Sequence, residues 1–289
     1  MSRINNKIAI IIFFSSWLFA EEIAFQSAMD KRIMMEKGAM ENPFIILPHR
    51  PNYLIPMSYS EGYNEPYQEM FKGKKLQNIE AKFQVSMKYI AVGDFLTDGM
   101  NIMFAFTSTS WWQSYNSAIS SPFRETNYAP EMIFSYIKPY NLGGFNIRET
   151  SLSLNHQSNG KSGTLSRSWN RIIGGVVAEK EDWIVALEGW YRIPENREDD
   201  DNSNIEEYLG YGQLGIIWKV SEGHNLDMTL RNNLKMEKNR GSIELGWSFP
   251  LSRKLRGYVQ YFNGYGEGLI YYNHPTNRIG LGVKLTDWL

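Results

Sequence analysis

The chain contains no cysteine, which excludes a disulfide framework and any thiolate metal site. It has almost no net charge: 30 Lys and Arg stand against 31 Asp and Glu, leaving −1 and no electrostatic footprint for nucleic acid. Mean hydropathy is −0.40, and no stretch after residue 20 offers the roughly 18 uncharged apolar residues that a spanning helix needs. A GxSxG elbow, an HExxH helix and a phosphate-cradling glycine loop are also missing. His49, His224 and His274 are too far apart in sequence to make a metal-ligand spacing. The acidic run Glu198-Asp199-Asp200-Asp201 lacks the glycine and spacing of a calcium loop and reads as a solvated loop. Glu206-Glu207 reads as the start of a strand and needs no catalytic explanation.

What is present begins at the N-terminus. Arg3 and Lys7 precede an apolar run, Ile8–Phe19, that ends at Ala20 before Glu21-Glu22. A basic n-region, a short h-region and a small residue at the cut describe a secretory signal peptide over residues 1–20, although Leu18 is bulky for the −3 position. Residues 21–50 are weakly helical and then broken by proline, as expected of a short periplasmic arm. From 51 to 289 the pattern changes to period 2.

That alternation is strict. Ile243, Leu245, Trp247 and Phe249 alternate with Ser242, Glu244, Gly246 and Ser248, and Ile279, Leu281, Val283 and Leu285 alternate with polar or small residues. Such runs are strands with one apolar and one polar face. Twelve of them are expected, near 51–59, 79–92, 99–113, 127–139, 145–158, 168–179, 182–193, 206–220, 224–236, 241–250, 254–265 and 277–289. Each has about the 9–11 residues of a tilted membrane-crossing strand, or slightly more. Long connections alternate with short turns such as Asn141–Gly144 and Ser221–Gly223, which is how outer-membrane barrels are arranged. The polar face carries Glu149, Arg171, Glu188, Arg192, Arg231, Glu244, Arg256 and Gln260, more charge than a soluble sandwich core accepts. Aromatics at 14 % suit interfacial girdles. The expectation is an all-β, 12-stranded antiparallel transmembrane barrel, with C-terminal Asp287-Trp288-Leu289 placing its last aromatic one residue early.

One segment of this barrel carries chemistry: Asn155–Arg171, NHQSNGKSGTLSRSWNR. His156 and Ser158 lie on one face of a strand, about 6.6–6.8 Å apart, in phase with Leu152 and Leu154. Asn170, after the loop, is in phase with Ile172 and Val176. All three polar groups therefore sit on an apolar face. On a membrane barrel that face meets lipid. A serine needs a base to take its proton, and the base needs a third group to hold its tautomer; His156 and Asn170 fit those roles for Ser158. Gly160, Ser162, Thr164 and Ser166 in the loop supply oxygen donors, which suit a hard cation such as Ca²⁺.

This segment resembles the outer-membrane phospholipase A family of Gram-negative bacteria. SSPFRETNYAPE at Ser120–Glu131, NYLIP at Asn52–Pro56, WWQ at Trp111–Gln113 and GYGEGLIYYN at Gly264–Asn273 extend the resemblance from about Asn42 to the C-terminus. The resemblance implies a calcium-dependent hydrolase of the sn-1 and sn-2 acyl esters of phospholipids, in the outer membrane, with Ser158, His156 and Asn170 as its triad. It implies an oxyanion hole at the Gly160 amide. It also implies calcium held by the Lys161 carbonyl, Ser166 and, across a reversible homodimer, Ser120 of a second copy. Lys161 replaces an arginine, which matters little to a carbonyl ligand. Ser108 stands where the family has a glutamine at its dimer interface, a departure that bears on dimer strength and not on the catalytic chemistry. The rival reading is a passive outer-membrane barrel, a small porin or anchor; it explains the strands but gives His156, Ser158 and Asn170 no use on a lipid face.

Overall fold

A computed structural model describes residues 27–286 apart from 62–66, 68, 69, 122, 197, 199, 253 and 254. The signal-peptide and C-terminal expectations (residues 1–20 and 287–289) lie outside the described residues. The first element, α1 (Ala28–Met40), starts at a capping box: Ser27 Oγ accepts from Asp30 N at 3.1 Å while Asp30 accepts from Ser27 N at 3.1 Å. Twelve long strands follow: β1 (Asn52–Ser60), β2 (Ile79–Val92), β3 (Met100–Trp112), β4 (Glu125–Tyr136), β5 (Phe145–Ser158) and β6 (Ser168–Lys180). The second half comprises β7 (Trp183–Ile193), β8 (Gly212–Ser221), β9 (His224–Asn232), β10 (Gly241–Pro250), β11 (Arg256–Gly264) and β12 (Thr276–Thr286).

Each strand pairs antiparallel with its sequence neighbour, and β12 pairs with β1 (Ile279 opposite Tyr59, Lys284 opposite Tyr53), so the sheet closes into a barrel. Closure removes every edge, which is how a sheet survives in lipid. The expected strands are present, with two corrections: the strand expected over 224–236 ends at Asn232, and the one expected over 206–220 starts late. Residues 206–211 do not begin β8: Glu206–Leu209 is a short helix, α2, whose N-cap Ile205 and last residue Leu209, four apart, both join a cluster with Trp169, Ile173, Trp190, Leu269 and Tyr272. That cluster, a helical contact inside an apparently strand-like run, folds the long-loop rim over the barrel mouth. At the other rim, Gly143 (φ 59°) and Gly144 (φ 82°) make the two-residue turn before Phe145, a backbone other residues adopt only with strain.

The two faces of the wall differ as the alternation requires. Leu54, Leu152, Leu154, Leu187, Leu245 and Leu281 point outward and are exposed. Trp183 and Trp218 stack at the short-turn rim with ring centroids 5.0 Å apart. Inside, charges are buried in pairs. Arg124 and Arg278 both reach Glu80 at 2.8 Å, and Lys82 and Arg278 reach Glu267 at 3.1 and 2.7 Å. Helix α1 lies within the short-turn end of the lumen. Met29 and Ala39 are buried there, and Ala39 packs with Ile90, Met103, Ala105 and Ile133. Glu36 meets Lys88 at 2.7 Å, Asp30 pairs with Arg148, and Ser27 Oγ donates to Glu179 at 2.8 Å. The helix of the expected N-terminal arm thus packs against inward-facing residues at one end of the barrel.

Candidate active site

The hairpin β5–β6 carries the site. Its register sets His156 opposite Asn170, Gln157 opposite Trp169 and Ser158 opposite Ser168. Directly opposed residues share a face with Cβ atoms about 4.5–5.5 Å apart, and the side chains of His156 and Asn170 meet: Nδ1 and Oδ1 are 2.8 Å apart. His156 is exposed on the outer wall, and Ser158 and Asn170 are half-buried. Ser158 follows His156 by two residues on the same face. Among the described residues no hydrogen bond joins Ser158 to His156; nucleophile–base contacts are often loose until substrate is bound.

The opposite, lumenal face of the hairpin holds this geometry still. Trp169 is fully buried and donates its Nε1–H to Gln157 Oε1 at 2.9 Å. Arg171 lies over the Trp169 ring at 4.1 Å and donates to Asn155 Oδ1 at 2.6 Å. Asn155, in turn, reaches Glu131, which accepts from Ser153 at 2.6 Å. The residues on either side of His156 and Asn170 are thus packed and hydrogen-bonded, so the outward groups are offered from a rigid support.

The loop between the strands is organised by Asn159, which is 3 % exposed. Its Oδ1 accepts from Lys161 N and Arg167 N, both at 3.1 Å, and its Nδ2 donates to Leu165 O at 2.7 Å. These bonds tie the loop's two ends together. Gly160 follows with φ +63°, a left-handed turn that glycine adopts without strain. Arg167 Nη1 donates to the carbonyls of Thr164, at 3.0 Å, and Ser166. Two loop carbonyls therefore converge on a positive charge already. Ser162, Thr164 and Ser166 offer oxygen donors only, the chemistry that suits a hard cation such as Ca²⁺. Among the described residues no cluster of three His, Cys, Asp or Glu could supply a stronger site. Ser120 lies on the loop between β3 and β4, where its carbonyl accepts from Trp112 Nε1 at 2.7 Å. No hydrogen bond among the described residues links it to Ser158, Lys161 or Ser166 of the same chain.

Three contributors escape a reading by motif. Glu195, two residues beyond β7, accepts from Asn170 Nδ2 at 2.8 Å. Asn159 is buried for the loop's sake. Two residues of the acidic run are engaged in the structure: Asp200 takes a 2.6 Å bond from Arg192, and Asp201 accepts from Ser168 N at 3.1 Å at the start of β6. A polar residue just after Ile193, itself opposite Asn170 in register, was the one available signal for Glu195.

Known proteins resemble this chain over nearly its whole length. A family model described as phospholipase A1 matches residues 29–285. Phospholipase A1 of Proteus vulgaris is 36 % identical over 248 residues, 86 % of this chain and 83 % of that one. Phospholipase A1 of Escherichia coli K12 is 35 % identical over 247 residues, 86 % and 83 % of the two chains. The outer membrane phospholipase A structure from Escherichia coli superposes with a TM-score of 0.80 at 35 % identity, covering 85 % of this chain and all of that one. The outer membrane phospholipase of Salmonella typhi, a dimer with bound calcium, gives 0.81 over 87 % of this chain and 96 % of that one, at 35 % identity.

Proposed function

This chain belongs to the phospholipase A1 family of outer-membrane β-barrels, and from that premise we propose that it is a calcium-dependent, serine-type phospholipase. It attacks the sn-1 and sn-2 esters of glycerophospholipids, A1 and A2 activity together, through Ser158, His156 and Asn170. The observation that carries this reading is the 2.8 Å contact of His156 Nδ1 with Asn170 Oδ1, on the outer wall, two residues along the strand from Ser158. Ser158 Oγ adds to the ester carbonyl while His156 Nε2 takes its proton; the imidazolium then gives that proton to the departing lysophospholipid oxygen. Water, deprotonated by the same nitrogen, releases the fatty acid from Ser158. The Gly160 N–H is the backbone donor for the developing oxyanion. Calcium, held by the Lys161 carbonyl, Ser166 and Ser120 of a second copy in a reversible homodimer, would add positive charge there. An exported barrel with a cleaved leader at 1–20 brings the site to the outer leaflet, where its substrate enters from the side.

A passive channel is the weaker reading, because α1 and the Glu80, Arg124, Arg278, Lys82 and Glu267 network occupy the lumen. The test is fatty-acid release from phospholipid–detergent micelles by refolded protein, in Ca²⁺ or EDTA, using lipids with different chains at sn-1 and sn-2. Calcium-dependent release of both chains, abolished by Ser158→Ala, is expected. Release that persists in Ser158→Ala would refute the assignment.

A further inference from the structure

An asparagine is an ambiguous partner for a histidine. Its side chain has an accepting oxygen at one end and a donating NH₂ at the other. Turned the wrong way, the amide would donate to Nδ1, force the ring proton onto Nε2 and leave Ser158 without a base. Some other group must decide the orientation. In this chain the decision is visible: Asn170 Nδ2 donates to Glu195 Oε1 at 2.8 Å, while Oδ1 faces His156 Nδ1 at 2.8 Å. An ionised carboxylate only accepts, so it selects the NH₂ end of Asn170. The oxygen end is then all that His156 can meet, and it too only accepts. Nδ1 must carry the ring proton, and Nε2 keeps its lone pair to accept another.

We propose that Glu195 is a positioning residue of the hydrolytic centre, fixing the Asn170 amide and through it the His156 tautomer. It also supplies, one residue removed, the negative charge that a Ser–His–Asn arrangement lacks: imidazolium formation is favoured by a carboxylate reached through a polarised amide. The fold accounts for its placement. Ile193 pairs with Asn170 and faces outward, Pro194 has no N–H and ends the ladder, and Glu195 continues on the same side toward the rim. It is half-buried there, close enough to hold one geometry. This inference rests on the triad proposed above.

The experiment uses the full refolded protein in detergent with Ca²⁺, with heat-modified gel migration as the folding control. Glu195→Ala is expected to lower kcat roughly 10- to 100-fold, the range for residues that orient a functional histidine, with KM unchanged. Glu195→Gln, which keeps an acceptor but loses the charge and allows the flip, falls between. The decisive variant is Asn170→Asp. With Glu195 in place it sets two carboxylates against each other; in a Glu195→Gln background the new carboxylate instead receives an N–H from the amide. The double variant Asn170→Asp, Glu195→Gln is therefore expected to outperform Asn170→Asp alone by about tenfold or more, although Glu195→Gln by itself is harmful. A residue that merely braces the loop would lower both backgrounds by the same factor. Glu195→Ala within twofold of the parent, or no reversal in the double variant, would overturn the proposal. Ser158→Ala run in parallel separates the two failures: if it is inactive while Glu195→Ala is not impaired, only the role of Glu195 falls, and if it is active the triad falls and takes this role with it.

Discussion

Tyr128 packs under the bare side of Gly160: a Cβ on the glycine would stand 3.1 Å from Tyr128 Cε2. Tyr128 is also opposite Ser158 in the β4–β5 register and stacks on Phe106 with centroids 6.3 Å apart. The glycine is needed twice, for its φ of +63° and for that ring. Gly160→Ala should cost about 1–2 kcal/mol of left-handed strain. If the amide swings away from Ser158, kcat should fall about 10²–10³-fold, the effect of removing an oxyanion donor. Adding Tyr128→Ala should relieve the contact and leave the backbone strain, so the thermal midpoint should recover in part.

Asn159 should matter far more than its distance from the chemistry implies. Its side chain makes three bonds to the loop backbone and is almost wholly buried. Asn159→Ala takes the side-chain partners from three part-buried backbone groups, at no more than about 1–3 kcal/mol each. Protease nicking between 160 and 167 and loss of activity should appear together, with the barrel still intact by heat-modified migration.

The calcium site should be weak, since none of its expected donors carries charge. Half-maximal activity should need calcium near the millimolar range, about 10⁻⁴–10⁻³ M, and EDTA should abolish turnover reversibly. Ser166→Ala should raise the calcium requirement. Arg167→Gln should lower it, because the guanidinium that now holds the Thr164 and Ser166 carbonyls would no longer compete; a higher requirement in that variant would show that Arg167 builds the loop and does not oppose the ion.

The mouth of the barrel should loosen in acid. Burial opposes the charge of Glu267, but Arg278 and Lys82 beside it outweigh that and hold its carboxyl at about 2. A carboxyl lowered on folding stabilises fully above its unfolded value, about 4.3, and loses that contribution as pH falls through the folded one. The protection factors against hydrogen exchange over residues 265–275, corrected for the intrinsic rate at each pH, should therefore be flat above pH 5 and fall steadily between about pH 4 and 2. Glu267→Gln should show fast exchange without that step.

The parts legible in the chain were those governed by local periodicity. β10 could be read residue by residue because a two-sided wall forces Ile243, Leu245 and Trp247 out and Glu244 in. The shared outward face of His156 and Asn170, and of Ser158 two residues on, was legible from the same alternation. The failures share a cause: each depends on a partner remote in sequence. Ile205 and Leu209 are helical because Trp169 and Tyr272 wait for them. Helix α1 mixes charge with apolar residues because its surroundings, Lys88 and Arg148 beside Ile90 and Met103, are mixed as well. Glu195 is 25 residues from Asn170, and a lone glutamate after a proline announces nothing.

The placement of His156 and Asn170 on one hairpin also bears on when the enzyme acquires its competence. Residues 14 apart in sequence meet as soon as β5 folds back on β6, an event of microseconds for a hairpin. Sealing β12 against β1 must bring together the two ends of the barrel and comes at a far greater entropic cost. His156 and Asn170, with Ser158 two residues on, can thus be aligned in a segment that has not yet become part of a closed wall, and the segment after β7 adds Glu195. Maturation of this protein is then less a matter of building its chemistry than of delivering a preassembled hairpin to the bilayer that contains its substrate.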